Sequence, residues 1–244
     1  MFRFIVAALW TTVFLILSIP VIIIEFFIGL FSPKTRAKHS QAINCAAFKV
    51  LKAIAGTQLT VKGLSNVPSD EPVLYVPNHR SIFDIILTYP LCPRQTAYVA
   101  KKETGKIPIF NIWMSFMNCQ FLDRKDLRKG LKVILKCADL VKEGSSVCIF
   151  PEGTRNKTAE TLLPFHDGSL KIAEKSGCKI VPVAINNSEK IFEAQFPKIR
   201  KAKVVIEYCK PIDPSDFSKE NKRDISLKVQ EEIKAAYEAN KALI

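Results

Sequence analysis

The sequence predicts an α/β protein in which a mainly parallel mixed sheet is covered by helices, preceded by an N-terminal membrane-embedded helical segment. Two observations carry this prediction. From Leu59 onward, short β-rich runs alternate with helical patterns, which is typical of parallel β-α-β units. Residues 4–31 instead form an almost uninterrupted apolar run, long enough as helix for a bilayer core of roughly 30 Å. We therefore divide the chain into a hydrophobic anchoring region, residues 1–56, and a globular domain, residues 57–244.

The apolar run is expected to break at Pro20, which lacks a backbone donor, into helices over Phe4–Ile19 and Val21–Phe31. Basic residues flank both ends of the run: Arg3 precedes it, and Lys34, Arg36 and Lys38 follow it. Because basic flanks prefer the cytoplasmic side, this pattern favours a hairpin that dips into the bilayer and returns to the same face. A single tilted span and a cleaved signal peptide are the alternatives.

The globular domain contains seven predicted strands: Leu59–Val61, Val73–Val76, Ala97–Ala100, Cys119–Leu122, Ser146–Phe150, Ile180–Ile185 and Val204–Tyr208. Residues 38–55 are predicted as a helix that ends at Gly56, and residues 217–241 as a charged amphipathic helix. The clearest helix is predicted over residues 124–143. Its apolar stripe is expected to be buried and consists of Leu127, Leu131, Ile134, Ala138 and Val141.

Composition narrows the classes of partner. The 244 residues are 48% hydrophobic, so a disordered chain does not fit, and 36 Lys+Arg against 23 Asp+Glu give a net charge of +13. A positive surplus attracts nucleic acid or anionic lipid. Because no recognition-helix or aromatic single-strand motif is evident, we expect membrane lipid as partner and no nucleic acid. A merely soluble basic surface is the alternative, and the oligomeric state is left open.

The seven cysteines are odd in number, widely spaced and never in a Cys-x-x-Cys pair. This usage predicts buried thiols in a reducing compartment, so we expect a membrane-associated protein whose globular domain is on the cytoplasmic face. With three histidines and no clustered cysteines, we expect no metal site. His166, beside Asp167 in a predicted loop, is interpreted as solvated or structural.

Ligands of open α/β sheets collect where strands end, and a polar cluster follows the predicted strand Val73–Val76. A histidine can accept a proton near neutral pH, and a neighbouring carboxylate can fix its tautomer. His79 and Asp84 are five residues apart, about 140° around a regular helix, so they can meet only if His79 precedes the helix. Ser81 could begin that helix. The alternative is that Ser81 and Asp84 form a capping box without catalysis.

Two further clusters also lie at predicted strand ends. In the segment 150–155, Gly153 permits close backbone approach, Arg155 can donate to a phosphate and Glu152 can accept from a hydroxyl. In the segment 121–124, Asp123 either belongs to a site or caps the following helix. An ordinary turn and a solvated arginine are the alternatives for the first of these segments.

Taken together, the clusters resemble the motifs of the glycerolipid acyltransferase family. Asn78, His79 and Asp84 resemble its first motif, and Asp123 and Arg124 resemble the end of its second. Residues 150–155 read FPEGTR, as in the third, and residues 181–185 resemble a fourth, a Val-Pro-Val-like strand. The motifs occur in the family's order, and the resemblance covers about residues 57–210.

The resemblance implies an O-acyltransferase that moves a fatty acyl group from acyl-CoA or acyl carrier protein, a co-substrate rather than a cofactor, to a lysophospholipid hydroxyl. The expected acceptor is 1-acyl-glycerol 3-phosphate, with phosphatidic acid as product. It implies that His79 is the general base and Asp84 its orienting carboxylate. The residues implied around the acceptor's phosphate and glycerol are Lys101, preferred over Lys102, with Arg124, Glu152, Gly153, Thr154 and Arg155. Alternatives are another acceptor, such as glycerol 3-phosphate, a different lysophospholipid or a lyso-ornithine lipid, or a non-catalytic basic membrane-surface binder.

Overall fold

A computed structural model of the chain describes residues 1–166, 168–216 and 222–244. Its strands are β1 (Gln58–Lys62), β2 (Leu74–Pro77), β3 (Thr96–Lys101), β4 (Gln120–Leu122), β5 (Ser146–Cys148), β6 (Ile180–Asn186) and β7 (Lys203–Tyr208). They form one sheet in the order β1-β7-β6-β2-β5-β3-β4. Each predicted strand is present, with ends within two residues of the predicted bounds.

The sheet is mainly parallel. Strands β2, β3, β4, β5 and β6 run in one direction, whereas β7 is antiparallel to β6 and parallel to β1. The prediction of a mainly parallel mixed sheet is therefore confirmed. We call the side of the sheet at which β2 to β6 end the carboxyl edge.

Helices cover both faces of the sheet. One face carries α1 (Phe2–Leu17), α2 (Ile19–Phe31), α3 (Pro33–Ala55), α4 (Phe83–Thr88) and α5 (Phe110–Phe116). The other carries α6 (Leu127–Lys142), α7 (Lys171–Ser176) and α8 (Lys222–Asn240). Alternation along β2 separates the two cores, because Tyr75 points to the first face and Leu74 and Val76 to the second.

The N-terminal run bends as expected, although its break lies earlier than predicted. Helix α1 ends at Leu17, and Pro20 lies in the first turn of α2, where proline is tolerated. In the part of the chain that the structure describes, no single helix is long and apolar enough to span a membrane. Helices α1 and α2 reach that length and composition only as a pair, bent by 49°.

Helix α3 begins five residues before the predicted start at residue 38. The Ser32 hydroxyl accepts a hydrogen bond from the Thr35 N–H at 3.3 Å, and Pro33 is the first helical residue. The pair therefore caps the helix, in the positions that serine and proline prefer. The helix ends at Gly56, as predicted, and Gly56 adopts a left-handed conformation. Helices α1 to α3 pack into the same core as the sheet. The proposed domain boundary at residue 56 stays a prediction.

Helix α6 begins at Leu127 because the Asp126 carboxylate accepts from the N–H groups of the next turn. The prediction that Leu127 and Leu131 are buried was wrong: these residues are 88% and 48% exposed. The apolar arc of α6 is wider than the surface on which the helix packs. The side of the helix that faces the domain carries the small residues Gly130, Cys137 and Ala138. The leucines lie on the shoulder of that arc. Residues 217–221 of the last predicted helix lie outside the described residues.

Candidate active site

The end of β2 is fastened to β6 by Asn78, which is fully buried. Its side-chain amide donates to the Ile185 carbonyl at 3.0 Å, and its oxygen accepts from the Ile185 N–H at 2.7 Å. A buried amide satisfied on both sides cannot rotate without losing two hydrogen bonds. The residue that follows, His79, therefore leaves the sheet from a fixed position at the carboxyl edge.

His79 and Asp84 meet, as the sequence predicts. The His79 Nδ1 atom lies 2.8 Å from Asp84 Oδ2, and helix α4 begins only at Phe83, so His79 is on irregular backbone. The imidazole stacks on Phe150 with ring centroids 4.0 Å apart. Within the described residues, no protein group bonds to His79 Nε2, so this nitrogen is available to a substrate.

Asp84 is fully buried and also serves the backbone. Its Oδ2 atom accepts from the N–H groups of Arg80 at 2.7 Å and Ser81 at 2.8 Å, in addition to the imidazole. The capping and catalytic interpretations of this carboxylate are thus compatible. Three donors around one oxygen fix the position of the carboxylate.

The Glu152 side chain contacts backbone groups, whereas a contact with the acceptor's glycerol was expected. Its carboxylate is buried and accepts from the His79 N–H at 2.7 Å and from the Leu163 N–H at 2.8 Å. Both oxygens are thus occupied by backbone groups, and Glu152 joins the FPEGTR segment to the loop that carries His79. Burial raises the pKa of this carboxyl, and the two backbone hydrogen bonds oppose the shift.

Arg155 is held by a residue outside the predicted motifs. The guanidinium donates to Glu193 Oε1 at 2.8 Å, and the same carboxylate accepts from the Ser81 hydroxyl and the Ile82 N–H. Glu193 therefore fixes Arg155 against the start of α4. The Arg155 side chain remains partly exposed, with donors left for an anion.

Arg124 and the preceding residue lie at the end of β4. Asp123 accepts from Lys102 Nζ at 2.6 Å and from the Lys125 N–H at 3.0 Å, so it does not cap α6. The hydrogen bond from Lys102 holds the pKa of Asp123 below its usual value. Lys101 is exposed and lies 3.7 Å from Glu103. The structure thus places several cationic groups along the ends of β3 and β4.

Gly153 has a φ of +67°, in the region that favours glycine. A β-carbon there would lie 2.6 Å from His166 Nε2 and 3.8 Å from Arg124 Nε, so the loop, His166 and Arg124 are close neighbours. Thr154 is exposed. His166, interpreted from sequence as solvated or structural, is exposed but lies against the predicted substrate loop.

Sequence reasoning did not identify Glu193 as part of this site, and it left His166 outside it. Glu193 begins a short 3₁₀ helix after β6, too short to show a periodic pattern, and only its position after a strand end could have signalled a role. His166 lies thirteen residues beyond Gly153, and no local pattern links the two.

The cysteines offer no nucleophile at this edge. All seven are free thiols, and burial raises the pKa of Cys119 to about 11 and of Cys137 to about 12. A thiol with such a pKa is almost entirely protonated at neutral pH. No cluster of metal-ligating side chains occurs among residues 1–166, 168–216 and 222–244.

Fold and site together define an α/β enzyme with a histidine–aspartate pair at the carboxyl edge of a mixed sheet. The model of the acyltransferase family matches residues 58–186, which include His79, Asp84 and the FPEGTR segment. The chain belongs to the acyltransferase family.

Three known proteins illustrate the similarity. A 1-acyl-sn-glycerol-3-phosphate acyltransferase of Helicobacter pylori is 33% identical over 205 residues, which cover 84% of this chain and 83% of that protein. A 1-acyl-sn-glycerol-3-phosphate acyltransferase of the coconut, Cocos nucifera, is 31% identical over 189 residues, which cover 77% of this chain. The chain spans only 60% of the coconut protein's length. The crystal structure of PlsC of Thermotoga maritima, a 1-acyl-sn-glycerophosphate (LPA) acyltransferase, covers 98% of both chains with a TM-score of 0.74 and 27% identity.

Proposed function

We propose that the chain transfers a fatty acyl group from an acyl thioester, acyl-CoA or acyl carrier protein, to the sn-2 hydroxyl of 1-acyl-glycerol 3-phosphate. Phosphatidic acid is the product. The observation that carries the proposal is the 2.8 Å contact between His79 Nδ1 and Asp84 Oδ2, while Nε2 bonds to no protein group among the described residues. The names of the Helicobacter, coconut and Thermotoga relatives support the choice of acceptor.

In the proposed reaction, His79 Nδ1–H donates to Asp84, so Nε2 carries the lone pair and accepts the proton of the acceptor hydroxyl. The hydroxyl oxygen attacks the thioester carbonyl carbon and forms the new C–O bond. Collapse of the tetrahedral intermediate breaks the C–S bond, and the leaving sulfur takes the proton from the imidazolium. Asp84 stabilises the imidazolium between the two proton transfers. No acyl-enzyme is required, in keeping with the high pKa of the buried thiols.

The acceptor's phosphate would be held by Arg155 and Arg124, with Lys101 as a further cation. Glu193 supports this role for Arg155 because it fixes one end of the guanidinium and leaves other donors free. The neighbourhood of Arg124 and the Gly153 loop brings a second guanidinium close to the FPEGTR backbone. Fixed charges of this kind contribute by positioning the acceptor, and they complement a general base worth about 10²- to 10⁴-fold.

We also propose that α1 and α2 rest in the bilayer, with the catalytic domain on the cytoplasmic face. The solvent-facing sides of both helices are apolar, including Leu9, Ile23 and Phe27, each more than half exposed. Soluble domains rarely leave so much contiguous apolar surface uncovered. The seven free thiols support the cytoplasmic side, where disulfides are rare.

The test is thiol release from acyl-CoA by the full-length protein in detergent, with lysophosphatidic acid as acceptor and phosphatidic acid followed as product. We expect His79→Ala to lower kcat by about 10²- to 10⁴-fold, because the general base is removed. His39→Ala is the matched control, since His39 lies in α3 beside Glu25 and away from the carboxyl edge; its rate should stay within about twofold.

A His79→Ala variant that releases thiol as fast as the wild type would refute the catalytic assignment. A parallel series with glycerol 3-phosphate and other lysophospholipids decides the acceptor. Wild-type protein that binds vesicles but acylates no acceptor would instead favour the non-catalytic membrane-surface binder.

A further inference from the structure

Helix α6 has a second apolar row that faces solvent. Leu127, Leu131 and Leu135 recur every four residues and are 88%, 48% and 40% exposed. The buried side of the same helix is formed by other residues, among them Ile134 and Val141. Covering apolar side chains is favourable, so three aligned exposed leucines form a surface that a partner can stabilise by burying it. We call this surface the leucine row.

A row of cations runs beside the leucine row with the same spacing: Arg128, Lys132 and Lys136. None of the three side chains has an ion pair with any described residue. By contrast, Lys129 and Lys142 on the same helix are paired with Asp126 and Asp139. The uncompensated charge of this basic row attracts an acidic surface, and the leucines beside it favour one that is also apolar.

The direction of α6 distinguishes a protein partner from a bilayer. Strands β4 and β5 both run parallel to β3, so α6, which connects them, runs back from the carboxyl edge along the side of the domain. Leu135 therefore lies about 12 Å farther from that edge than Leu127, at 1.5 Å per residue. In addition, α6 packs on the opposite face of the sheet from α1 and α2. A bilayer that holds α1 and α2 near the edge would leave most of the leucine row uncovered.

The leucine row also begins near the site. Leu127 follows Arg124 by three residues, at most about 11 Å of extended chain, and Arg124 adjoins the Gly153 loop. A partner on α6 would thus lie close to the Gly153 loop of the candidate active site.

We propose that the leucine row and the basic row dock an acidic amphipathic helix of the protein that carries the acyl thioester. The inference rests on the proposed acyl-transfer function and names the donor that this surface fits. The partner's apolar side chains cover Leu127, Leu131 and Leu135, and its carboxylates pair with Arg128, Lys132 and Lys136. The docked carrier then delivers its thioester over the carboxyl edge to His79.

The test compares two donors with the same acyl chain, one on purified acidic acyl carrier protein and one on coenzyme A, using the full-length enzyme. In the variant Arg128→Glu/Lys132→Glu/Lys136→Glu, we expect kcat/KM for the carrier-bound donor to fall at least tenfold. Because coenzyme A is itself anionic, the variant Leu127→Gln/Leu131→Gln/Leu135→Gln gives an independent measurement. It should show the same loss with the carrier and a change within twofold with coenzyme A.

The matched control reverses three exposed lysines on the same face of the sheet, Lys171→Glu/Lys175→Glu/Lys234→Glu, and should leave both donors within twofold. The proposal is overturned if both α6 variants leave the carrier-bound donor unaffected, or if the leucine variant lowers both donors equally. Loss of binding to anionic vesicles together with equal losses for both donors would identify α6 as a membrane surface instead. Wild-type turnover of acyl-CoA without turnover of the carrier-bound donor would overturn the docking proposal and leave acyl transfer intact. Absence of turnover with either donor would contradict the proposed function itself.

Discussion

At the scale of single residues, the site depends on one carboxylate oxygen with three donors. Asp84 Oδ2 accepts from the His79 ring and from the N–H groups of Arg80 and Ser81. The imidazole and the turn that carries it are therefore fixed together before a substrate binds. Such preorganisation is what allows a general base to act without first being oriented.

Replacing Asp84 by asparagine tests this arrangement. An amide is neutral, so it accepts more weakly from the three N–H groups than a carboxylate does and cannot stabilise the imidazolium. We expect kcat to fall by about 10²-fold or more, within the range of general-base effects. Circular dichroism and thermal unfolding should show a folded protein. Retention of more than a third of wild-type kcat would contradict the orienting role.

Glu193→Gln tests whether Glu193 positions Arg155. Glutamine keeps an acceptor for the start of α4 but loses the charge that holds the guanidinium. We expect KM for lysophosphatidic acid to rise about tenfold, equivalent to ~1.4 kcal/mol, while kcat stays within about twofold. Glu189→Gln is the control, because the Glu189 carboxylate faces Arg80 rather than Arg155. A fall in kcat with unchanged KM would point to a role in the chemical step.

The residues of the site were predictable to different degrees. His79 and Asp84 lie close in sequence after one strand, so their meeting depends only on where the helix begins. Glu193 and His166 reach the site from separate loops, and their placement depends on the packing of β6 and of the segment after FPEGTR. Glu152 was recognised as part of the site, but its contacts with backbone N–H groups depend on long-range geometry.

At the scale of elements, helix α6 shows why an apolar pattern does not specify the packed side alone. Its apolar arc includes both the buried Ile134 and the exposed Leu127. The period of the pattern correctly predicted a helix. Which part of the arc is covered depends on the neighbouring α7 and on the short strand β4, and neither can be read from the period.

The FPEGTR turn can be tested as an element with Gly153→Ala. At a φ of +67°, alanine should lower the free energy of unfolding by roughly 1–2 kcal/mol, and its β-carbon would also displace His166. Gly177→Ala is a matched control, because its φ is +76° but nothing lies within 4 Å of the added carbon.

Urea unfolding should show a similar backbone cost in both glycine variants. We expect only Gly153→Ala to lower kcat/KM by about tenfold or more, since it alone disturbs the substrate loop. Equal catalytic effects in the two variants would contradict a role for the turn in shaping the site.

At the scale of the whole molecule, α1 and α2 join the globular domain to a predicted bilayer. The contact is more than apolar burial, because the Trp113 indole donates to the Ser18 hydroxyl at the bend between the two helices. Deleting residues 1–31 would therefore uncover Trp113 as well as remove membrane contacts. Substitutions on the outward side of α2 are the cleaner test.

We expect Phe26→Ser/Phe27→Ser/Phe31→Ser to weaken sedimentation with lipid vesicles at least about 100-fold, because each exposed phenylalanine loses about 1.5–3 kcal/mol of lipid burial. Activity in detergent should change less than about twofold. Leu227→Ser, an equally exposed apolar residue on α8, is the control and should sediment like the wild type. A triple variant that still sediments fully would contradict the anchoring proposal.

The overall architecture was predicted from alternating strands and helices, but the strand order was not. The position of β7 between β1 and β6 reflects pairing between segments far apart in sequence, such as Leu59 with Val204. Local patterns cannot specify such partners, because any strand of suitable length could satisfy the same backbone groups.

The position of β7 between β1 and β6 has a consequence for the order of events during synthesis. Within the described sheet, the earliest strand to leave the ribosome, β1, has β7 as its one neighbour, and β7 emerges after the other strands. Strand β1 must therefore wait for its partner while the middle strands assemble. Because α1 and α2 emerge before any strand, the proposed anchor would reach lipid before the last strand completes the enzyme.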